Sequence, residues 1–282
     1  MENTPRLILV PTPIGNLDDI SLRALDAFKT CDEVYCEDTR VTGKLLSCYD
    51  IKKPLFRMDE NSIDRVVGEV ISKIESGKTI CFCSDAGMPG ISDPGSRIVE
   101  ACHKSDVKVE VLPGANACLT ALVASGFNTT HFYFEGFLPK KKGQRKTRLE
   151  FLFEQNLITV IYESPNRVQE TVEMMAEIAP ERRICVAREL TKLHEQVLVD
   201  TSKNMLDKLN ELSKNNQCRG EFVLVIDEIS EQMKTFSKNA RIEQASKFAE
   251  EMFELGATKS QVRAYLIDYF GLSKNEAYEL SI

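Results

Sequence analysis

Short runs of β-branched and aliphatic residues alternate with longer segments in which apolar residues recur every three or four positions. The short runs predict strands and the longer segments predict helices, so the alternation favours an α/β fold with largely parallel sheets. The predicted strands are Arg6–Val10, Glu33–Cys36, Thr79–Cys83, Lys108–Leu112, Phe132–Glu135, Leu157–Tyr162, Arg183–Ala187, Gln196–Val199 and Phe222–Asp227. The predicted helices are Ser21–Thr30, Ser62–Glu75, Pro94–Lys104, Ala115–Ser125, Pro165–Ile178 and Ser202–Ser213.

A break between two groups of strands is expected near Pro113–Phe132. A glycine-bearing turn, a helix of small residues and a polar segment lie there, with four predicted strands before them and five after. So many strands over so long a span do not fit one compact layer. The sequence therefore predicts two α/β domains, residues 1–115 and 116–230.

The last segment, residues 231–282, is predicted to be a helical tail. Gly256 and Gly271 are expected to end helices, and Thr258 and Ser273 each open a capping box. Two short helices joined by a turn resemble a helix-turn-helix. A small helical cap that packs on the body of the protein fits the same pattern equally well.

Composition adds limits to this picture. The 282 residues carry a net charge of −7 and are 43% hydrophobic, as in ordinary globular proteins. The nine cysteines are scattered and odd in number, no C-x-x-C pair occurs, and only three histidines are present. We therefore expect free thiols in a reducing cytoplasm and no metal site. Leu7–Val10 is too short for a signal peptide, and no apolar run approaches the ~20 residues of a membrane span.

Three predicted strands run into glycine-bearing corners. The first corner is Pro11–Asp19, the second is Ser84–Gly95, and the third is Leu112–Ala117. Ligands of α/β proteins bind at the carboxyl ends of strands, so the three corners can converge on one crevice. Neither G-x-G-x-x-G nor a Walker A sequence is present, which makes a dinucleotide or nucleoside triphosphate a weak prediction. The corners together predict a nucleotide-like cofactor.

Two groups of mixed charge also follow predicted strands. They are Glu37–Arg40 and Arg188–Lys192. Strand ends are where active sites form, and the residues are candidates for chemistry on that ground. Each group taken singly is better explained as a surface cluster of ion pairs.

One stretch is strongly basic on an otherwise acidic chain. Six basic residues fall between positions 140 and 148: Lys140, Lys141, Lys142, Arg145, Lys146 and Arg148. Gly143 and the preceding Gly136–Pro139 predict a mobile loop. The stretch is either a solubilising surface run or an arm that binds phosphates.

A series of ordered motifs carries a family resemblance. They are Pro11–Leu17, Leu22–Leu25, Glu37–Arg40, Ser84–Gly87, Asp93–Gly95, Leu112–Gly114, Tyr162–Ser164 and Ala187–Lys192. In these motifs the sequence resembles the ribosomal RNA small subunit methyltransferase I family of the tetrapyrrole methylase superfamily. The resemblance runs from about Leu7 to Asp227 and includes the helical tail.

The resemblance implies two α/β domains with S-adenosylmethionine in the cleft between them. It implies 2′-O-methylation of a cytidine ribose of 16S rRNA at the decoding centre, usually by a homodimer. The expected cofactor-binding residues are Ile14, Gly15, Asp85, Ala86, Gly87, Met88, Ala115, Asn116 and Tyr162. The candidate catalytic residues are Glu37, Asp38, Arg40, Glu189 and Lys192, and the six basic residues are candidates for binding RNA. Which of the candidates acts as the base stays open, as does the choice between free rRNA and an assembled subunit.

The sequence departs from the family at three positions. Met88 stands where the family usually has Thr, Ala115 where it usually has Pro, and Asn166 where it often has His. A tetrapyrrole C-methyltransferase of the same architecture is one alternative, since carboxylate-rich tetrapyrroles also attract positive charge. A non-catalytic relative that binds RNA is another, motivated by Met88 and Asn166.

Overall fold

The computed structural model describes residues 4–214, 219–229 and 231–281. The chain forms two compact units, Met1–Asp227 and Glu228–Ile282. The first unit contains two five-stranded sheets with helices around them. The predicted α/β class is therefore confirmed. Because both sheets belong to one compact unit, the domain boundary at residues 115 and 116 stays a prediction.

The first sheet is wholly parallel. Its strands are β1 (Arg6–Leu9), β2 (Glu33–Cys36), β3 (Leu55–Arg57), β4 (Thr79–Cys83) and β5 (Val109–Val111), in the order β3-β2-β4-β1-β5. Strands β1 and β4 are neighbours in this sheet. The chain runs from β1 to β2 on one side of this pair and from β4 to β5 on the other. The pair therefore forms a topological switch point, where a crevice opens beyond the carboxyl ends of the two strands.

The second sheet is mostly antiparallel. Its strands are β6 (Phe132–Phe137), β7 (Ile158–Glu163), β8 (Arg183–Arg188), β9 (Gln196–Thr201) and β10 (Phe222–Ile226), in the order β6-β7-β10-β8-β9. Only β6 and β7 pair in parallel. The expectation of largely parallel sheets is wrong here, because the short link from β8 to β9 makes them antiparallel neighbours and β10 inserts between β7 and β8.

Eight α-helices surround the two sheets in the described part of the first unit. They are α1 (Leu22–Thr30), α2 (Thr39–Cys48), α3 (Ile63–Glu75), α4 (Gly95–Lys104), α5 (Ala117–Ala124), α6 (Lys142–Glu154), α7 (Val168–Ile178) and α8 (Ser202–Lys214). Six correspond to predicted helices with ends shifted by up to three residues. Strand β3 and helices α2 and α6 were not predicted.

Strand alternation explains the packing of the first sheet. Leu7 and Leu9 of β1 pack on one face with residues of α3 and α4. Ile8 and Val10 pack on the other face with residues of α1 and α2. Successive side chains of a strand point to opposite faces, so both faces of this sheet are buried. Ile14, which follows β1, joins the apolar cluster of the second sheet instead and so links the two sheets.

The second unit is helical, as predicted. Its helices are α9 (Glu231–Glu254), α10 (Lys259–Phe270) and α11 (Lys274–Glu279). Thr258 and Ser273 form the two predicted capping boxes, and Gly271 ends α10 in the left-handed conformation. A small apolar core that includes Val262 and Leu266 holds the three helices together.

The eight described cysteines are free thiols, and only Cys48 is exposed. Among the described residues, no helix is long and apolar enough to cross a membrane. The same part of the chain contains no group of three or more histidine, cysteine or acidic residues that could hold a metal ion.

Candidate functional site

A cavity of about 400 Å³ lies at the switch point of the first sheet and faces the nearby strand ends of the second sheet. This volume is typical of small-molecule sites, which span about 300–1,000 Å³. The cavity is lined by residues that follow β1, β2, β4 and β5 and by residues at the ends of β6, β7 and β10. The crevice therefore forms where parallel strands end, as the sequence predicts.

The three glycine-bearing corners do converge. Thr12 and Gly87 exchange two backbone hydrogen bonds of 3.0 Å each, which joins the first corner to the second. A Cβ on Gly114 would lie 2.6 Å from the Cβ of Pro11, so only glycine lets the third corner reach the first. Gly87 has a φ of +86°, a conformation that glycine adopts without strain.

Seven of the nine predicted cofactor-binding residues line the cavity: Ile14, Asp85, Ala86, Gly87, Met88, Asn116 and Tyr162. Ala115 lies directly behind this wall, and its carbonyl oxygen would be 3.6 Å from a Cβ on Gly87. Gly15 is placed differently. A Cβ there would lie 2.5 Å from Cγ of Lys192 and 2.7 Å from Oγ1 of Thr191. The close approach at Gly15 is therefore to the turn after β8, and the expectation that it faces a ligand does not fit this placement.

Backbone hydrogen bonds connect three acidic residues at the rim of the cavity. The Asp85 backbone N–H donates to Oε1 of Glu37 at 3.1 Å, and the Asp38 backbone N–H donates to Oδ1 of Asp85 at 3.1 Å. Burial raises the pKa of Glu37 and of Asp85 above the ordinary range. A third lining carboxyl group, that of Asp93, also has its pKa raised by burial, although the backbone N–H groups of Gly90 and Gly95 donate to it.

Asp38 and Arg40 form an ion pair with each other beside the cavity. Arg40 is largely exposed and forms a bidentate ion pair with Asp38. The hydrogen bonds from Arg40 hold the pKa of Asp38 far below its usual range. Neither residue lines the cavity, and Asp38 also caps the start of α2. For these two residues the structure agrees with the simpler interpretation of a surface pair.

Glu189 and Lys192 lie in the turn that follows β8. Nζ of Lys192 is 2.8 Å from Oε1 of Glu189 and 3.1 Å from Oε2 of Glu221, and Glu221 lines the cavity. Burial acts to raise the pKa of Glu189, but the hydrogen bond from Lys192 prevails and the pKa is lowered. The Asn16 backbone N–H donates to Oγ1 of Thr191 at 3.0 Å. This turn is therefore fastened to the first corner at one edge of the cavity.

Glu163 lines the cavity but was not among the site residues predicted from the sequence. Its side chain is fully buried and accepts hydrogen bonds from Arg167, from Oγ1 of Thr171 at 2.8 Å and from the Ser164 backbone. Arg167 also donates to the backbone carbonyl oxygens of Leu138 and Pro139. Glu163 thus anchors the segment that leads from β6 into α6. Its place in the Tyr162–Ser164 motif was the signal that pointed to it.

The second sheet, the 84–95 corner and the third corner supply further lining residues that sequence reasoning missed. They are Ser84, Ile91, Ser92, Ala117, Phe137, Ser164, Pro165, Phe222 and Val223, beside Glu37 and the acidic residues already described. Those of the 84–95 corner could have been found from its density of glycine and proline. No local signal marks the residues of β6 and β10, because their position depends on how the two sheets meet.

The basic stretch is not a loop. Helix α6 begins at Lys142, so the prediction of a mobile loop is wrong for residues 142–148. Arg145 is 2% exposed and forms an ion pair with Glu170 of α7. It packs on the same face as Leu149 and Leu152, at helical spacing. In this position Arg145 cannot reach an RNA phosphate, and its assignment to RNA binding is corrected to a structural role.

The other basic residues differ in whether an acidic partner neutralises them. Three are paired: Lys142 with Glu170 at 3.1 Å, Lys146 with Glu177 at 2.9 Å and Arg148 with Glu135 at 2.6 Å. Lys140 and Lys141 are exposed and form no ion pair with a described residue. These two lysines are the members of the stretch best placed to meet a phosphate.

Comparison with known proteins identifies the family. The model of the Tetrapyrrole (Corrin/Porphyrin) Methylases matches residues 6–206. Ribosomal RNA small subunit methyltransferase I of Bacillus subtilis (strain 168) is 44% identical over 221 residues, covering 78% of this chain and 74% of that protein. The protein of the same name from Haemophilus influenzae is 38% identical over 277 residues, covering 98% of this chain and 96% of the relative.

Solved structures support the fold. A diphthine synthase superposes with a TM-score of 0.61 at 15% identity, covering 81% of this chain and 92% of that one. A cobalt precorrin-4 methyltransferase superposes with a TM-score of 0.55 at 14% identity, covering 78% and 94%. At such low identity the likeness concerns the fold alone. The sequence relatives carry the narrower conclusion: the chain belongs to the tetrapyrrole methylases and, among them, to the ribosomal RNA small subunit methyltransferase I family.

Proposed function

We propose that this protein transfers a methyl group from S-adenosylmethionine to the 2′-hydroxyl of a cytidine ribose in 16S rRNA, near the decoding centre. The observation that carries the proposal is the carboxylate-lined cavity in which the three glycine-bearing corners meet. The names of the relatives supply the substrate class, rRNA of the small subunit.

The lining of the cavity fits the proposed cofactor. Among the described residues that line the cavity, five are acidic and none is basic. Glu163 and Glu221 have ion-pair partners, whereas Glu37, Asp85 and Asp93 form no ion pair with a described residue. S-adenosylmethionine carries positive charge on its sulfonium and ammonium groups, which this negative wall would attract. Ile14, Met88 and other apolar side chains offer a surface for its purine ring. When bound, the cofactor supplies a methyl group whose bond to sulfur breaks as the new bond to oxygen forms, leaving a neutral thioether.

Among the five candidate catalytic residues, Glu37 fits the part of proton acceptor best. The ribose hydroxyl must lose its proton as the carbon–oxygen bond forms, and a carboxylate with a raised pKa accepts a proton more readily. Glu37 lines the cavity, and burial raises its pKa. The pKa of Asp38 is held low by Arg40, and Glu189 is held by Lys192, so both are weaker acceptors.

The lysines among the candidate residues have a different role, which is to attract and position the RNA. Lys192 bridges Glu189 and Glu221 at the edge of the cavity, and its pKa is raised, so it stays protonated. A cation at this edge offsets the negative charge that approaching RNA would otherwise meet. Lys140 and Lys141, exposed at the start of α6, would bind flanking phosphates.

The tetrapyrrole alternative has less support, because the names of the sequence relatives specify ribosomal RNA. The structural neighbours that act on such compounds share only 14–16% identity with this chain, which concerns the fold alone. The argument for a non-catalytic relative also weakens, because Asn166 is exposed and does not line the cavity.

The proposal includes a homodimer in the cytoplasm. Helix α5 supports the dimer, since it is apolar almost all round while Leu119 and Val123 remain 49% and 72% exposed. A helix of this kind is normally covered. Sedimentation analysis of Val123→Glu against the parent chain tests the point, and a parent chain that sediments as a monomer would contradict it.

The central experiment is methyl transfer to natural substrates. Small subunits and free 16S rRNA from cells that lack this gene are incubated with the protein and tritiated S-adenosylmethionine, and the labelled nucleoside is mapped. We expect label on the 2′-oxygen of one cytidine, and Glu37→Gln should lower kcat by a much larger factor than it weakens the binding of S-adenosylmethionine. Cofactor binding without transfer to either RNA would contradict the proposed activity. Label that appears only on a tetrapyrrole would establish the alternative.

A further inference from the structure

Strand β6 contains a β-bulge beside the cavity. Phe134 pairs with Val160 of β7, yet Gly136 pairs with Ile161 and Phe137 with Tyr162, so one extra residue lies in β6. Gly136 has a φ of +72° at this place, as bulges often require. Bulges near active sites commonly redirect a side chain.

The bulge decides which way Phe137 faces. In a regular strand, positions 134 and 137 would face opposite sides of the sheet, because side chains alternate. Here both rings pack edge-on against the ring of Tyr162, with centroids 5.0 Å and 5.7 Å away. The inserted residue has therefore turned Phe137 toward the cavity, which it lines.

Phe137 lies at the mouth of the cavity rather than in its depth. The residue is 58% exposed, whereas Tyr162 behind it is half-buried and its hydroxyl accepts a hydrogen bond from the Cys118 backbone. Ile91, 39% exposed, lines the same cavity from the other sheet's corner. A phenyl ring exposed at the entrance of the cavity offers an aromatic face, which suits a flat ring arriving from solution.

The chain that follows Phe137 is held in place and leads to positive charge. Arg167 donates to the carbonyl oxygens of Leu138 and Pro139, at 2.9 Å and 3.3 Å. Lys140 and Lys141 come next and are exposed. An aromatic face followed within a few residues by exposed lysines is the combination that binds single-stranded RNA, with one base on the ring and adjacent phosphates on the cations.

We infer that the base of the target nucleotide stacks on the ring of Phe137 while its ribose enters the cavity. This inference rests on the proposed function and names the residue that would hold the substrate base. The deeper residues Ile14, Asn116 and Tyr162 remain for the cofactor. Phe137 acts by positioning the base, so that the ribose hydroxyl reaches the methyl group.

Kinetics of two substitutions test the inference. Phe137→Leu removes the ring but keeps apolar volume, and Phe137→Tyr keeps the ring. We expect Phe137→Leu to lower kcat/KM for RNA about 5- to 150-fold, the loss of one base–aromatic stack, with Kd for S-adenosylmethionine unchanged and near-normal activity in Phe137→Tyr. Phe132→Leu is the matched control, since Phe132 lies on the same strand, is 40% exposed and does not line the cavity.

Two outcomes overturn the inference while the proposed function stands. Unchanged kcat/KM in Phe137→Leu would show that the ring does not hold the base. Weaker binding of S-adenosylmethionine, by the same factor as the loss in kcat/KM, would assign the ring to the cofactor instead. If the parent chain methylates no RNA, the proposed function fails and a binding measurement still decides the role of Phe137.

The binding measurement uses fluorescence. The chain has no tryptophan, so Phe137→Trp introduces a single reporter. A short single-stranded RNA with one cytosine is added, and the same RNA with an abasic site at that position is the comparison. We expect the intact RNA to quench the tryptophan and the abasic RNA to quench it much less, with no difference for Phe132→Trp. Equal quenching by the two RNAs would refute the stacking.

Discussion

Gly87 offers the sharpest test of how the corners build the cavity. Its φ is +86°, and a Cβ would lie 3.2 Å from Cγ2 of Ile14, closer than ordinary van der Waals contact. A left-handed conformation costs a residue other than glycine about 1–2 kcal/mol. Displacing a packed side chain adds a cost at the low end of about 1–3 kcal/mol. We therefore expect Gly87→Ala to lower the free energy of unfolding by ~2 kcal/mol.

A second glycine separates the two contributions. Gly126 has a φ of +69°, but a Cβ there would meet nothing within 4 Å. Gly126→Ala should therefore incur only the backbone cost, ~1 kcal/mol. Urea denaturation measures both variants against the parent chain. The difference between them isolates the contact with Ile14.

Cofactor affinity provides the second readout. Gly87 and Ile14 both line the cavity, so a shift of Ile14 changes the surface that the ligand meets. We expect calorimetric titration to show a Kd for S-adenosylmethionine at least ~10-fold higher in Gly87→Ala, which corresponds to about 1.4 kcal/mol. Gly126→Ala should bind as the parent chain does. If both variants lose equal stability and bind the cofactor equally well, the contact with Ile14 does not shape the site.

Three further perturbations give distinct readouts. Gly15→Ala should lower the free energy of unfolding by about 1–3 kcal/mol, seen as a lower urea midpoint, because its Cβ would overlap the turn after β8. Burial acts to raise the pKa of Glu33, but hydrogen bonds from two lysines prevail and lower it. The Glu33 carboxylate therefore stabilises the fold above its unfolded pKa, and this contribution is lost as the pH falls. Glu33→Gln should reduce the fall of the urea midpoint at acid pH, and an unchanged fall would contradict this. Replacing Lys140 and Lys141 by Gln should reduce the slope of log affinity for rRNA against log salt by about 1.4–1.8. Lys146, which is paired with Glu177, is the control in the same filter-binding assay, and Lys146→Gln should leave the slope nearly unchanged. Equal slopes in the parent chain, the double variant and Lys146→Gln would rule out the phosphate contacts.

The family and much of the local structure could be predicted from the sequence. Helix caps depend on side chains three residues apart, which is why the capping boxes at Thr258 and Ser273 could be predicted and are confirmed. The glycine-bearing corners were visible for a similar reason, since a tight turn needs its special residues at the turn itself. Position along a strand then placed Asp85 and Asn116 at the carboxyl ends where the cavity opens.

Helix α6 shows where local patterns mislead. Its first turn is rich in charge, and its buried stripe begins with Arg145 instead of an apolar residue. The acidic partner on α7, Glu170, compensates the buried charge. Since the partner lies on another helix, a pattern of hydrophobic positions could not reveal it.

The sequence by itself determined the alternation of elements, the corners and the caps, because these depend on interactions between residues close in the chain. Tertiary structure decided the antiparallel order of the second sheet, the separation of Glu37 from the surface pair of Asp38 and Arg40, and the direction of Phe137. Strand pairing joins residues far apart in the chain, and one inserted residue reverses the face of every position after it. The cavity depends on such pairings, so its complete lining emerged only when both sheets were in place.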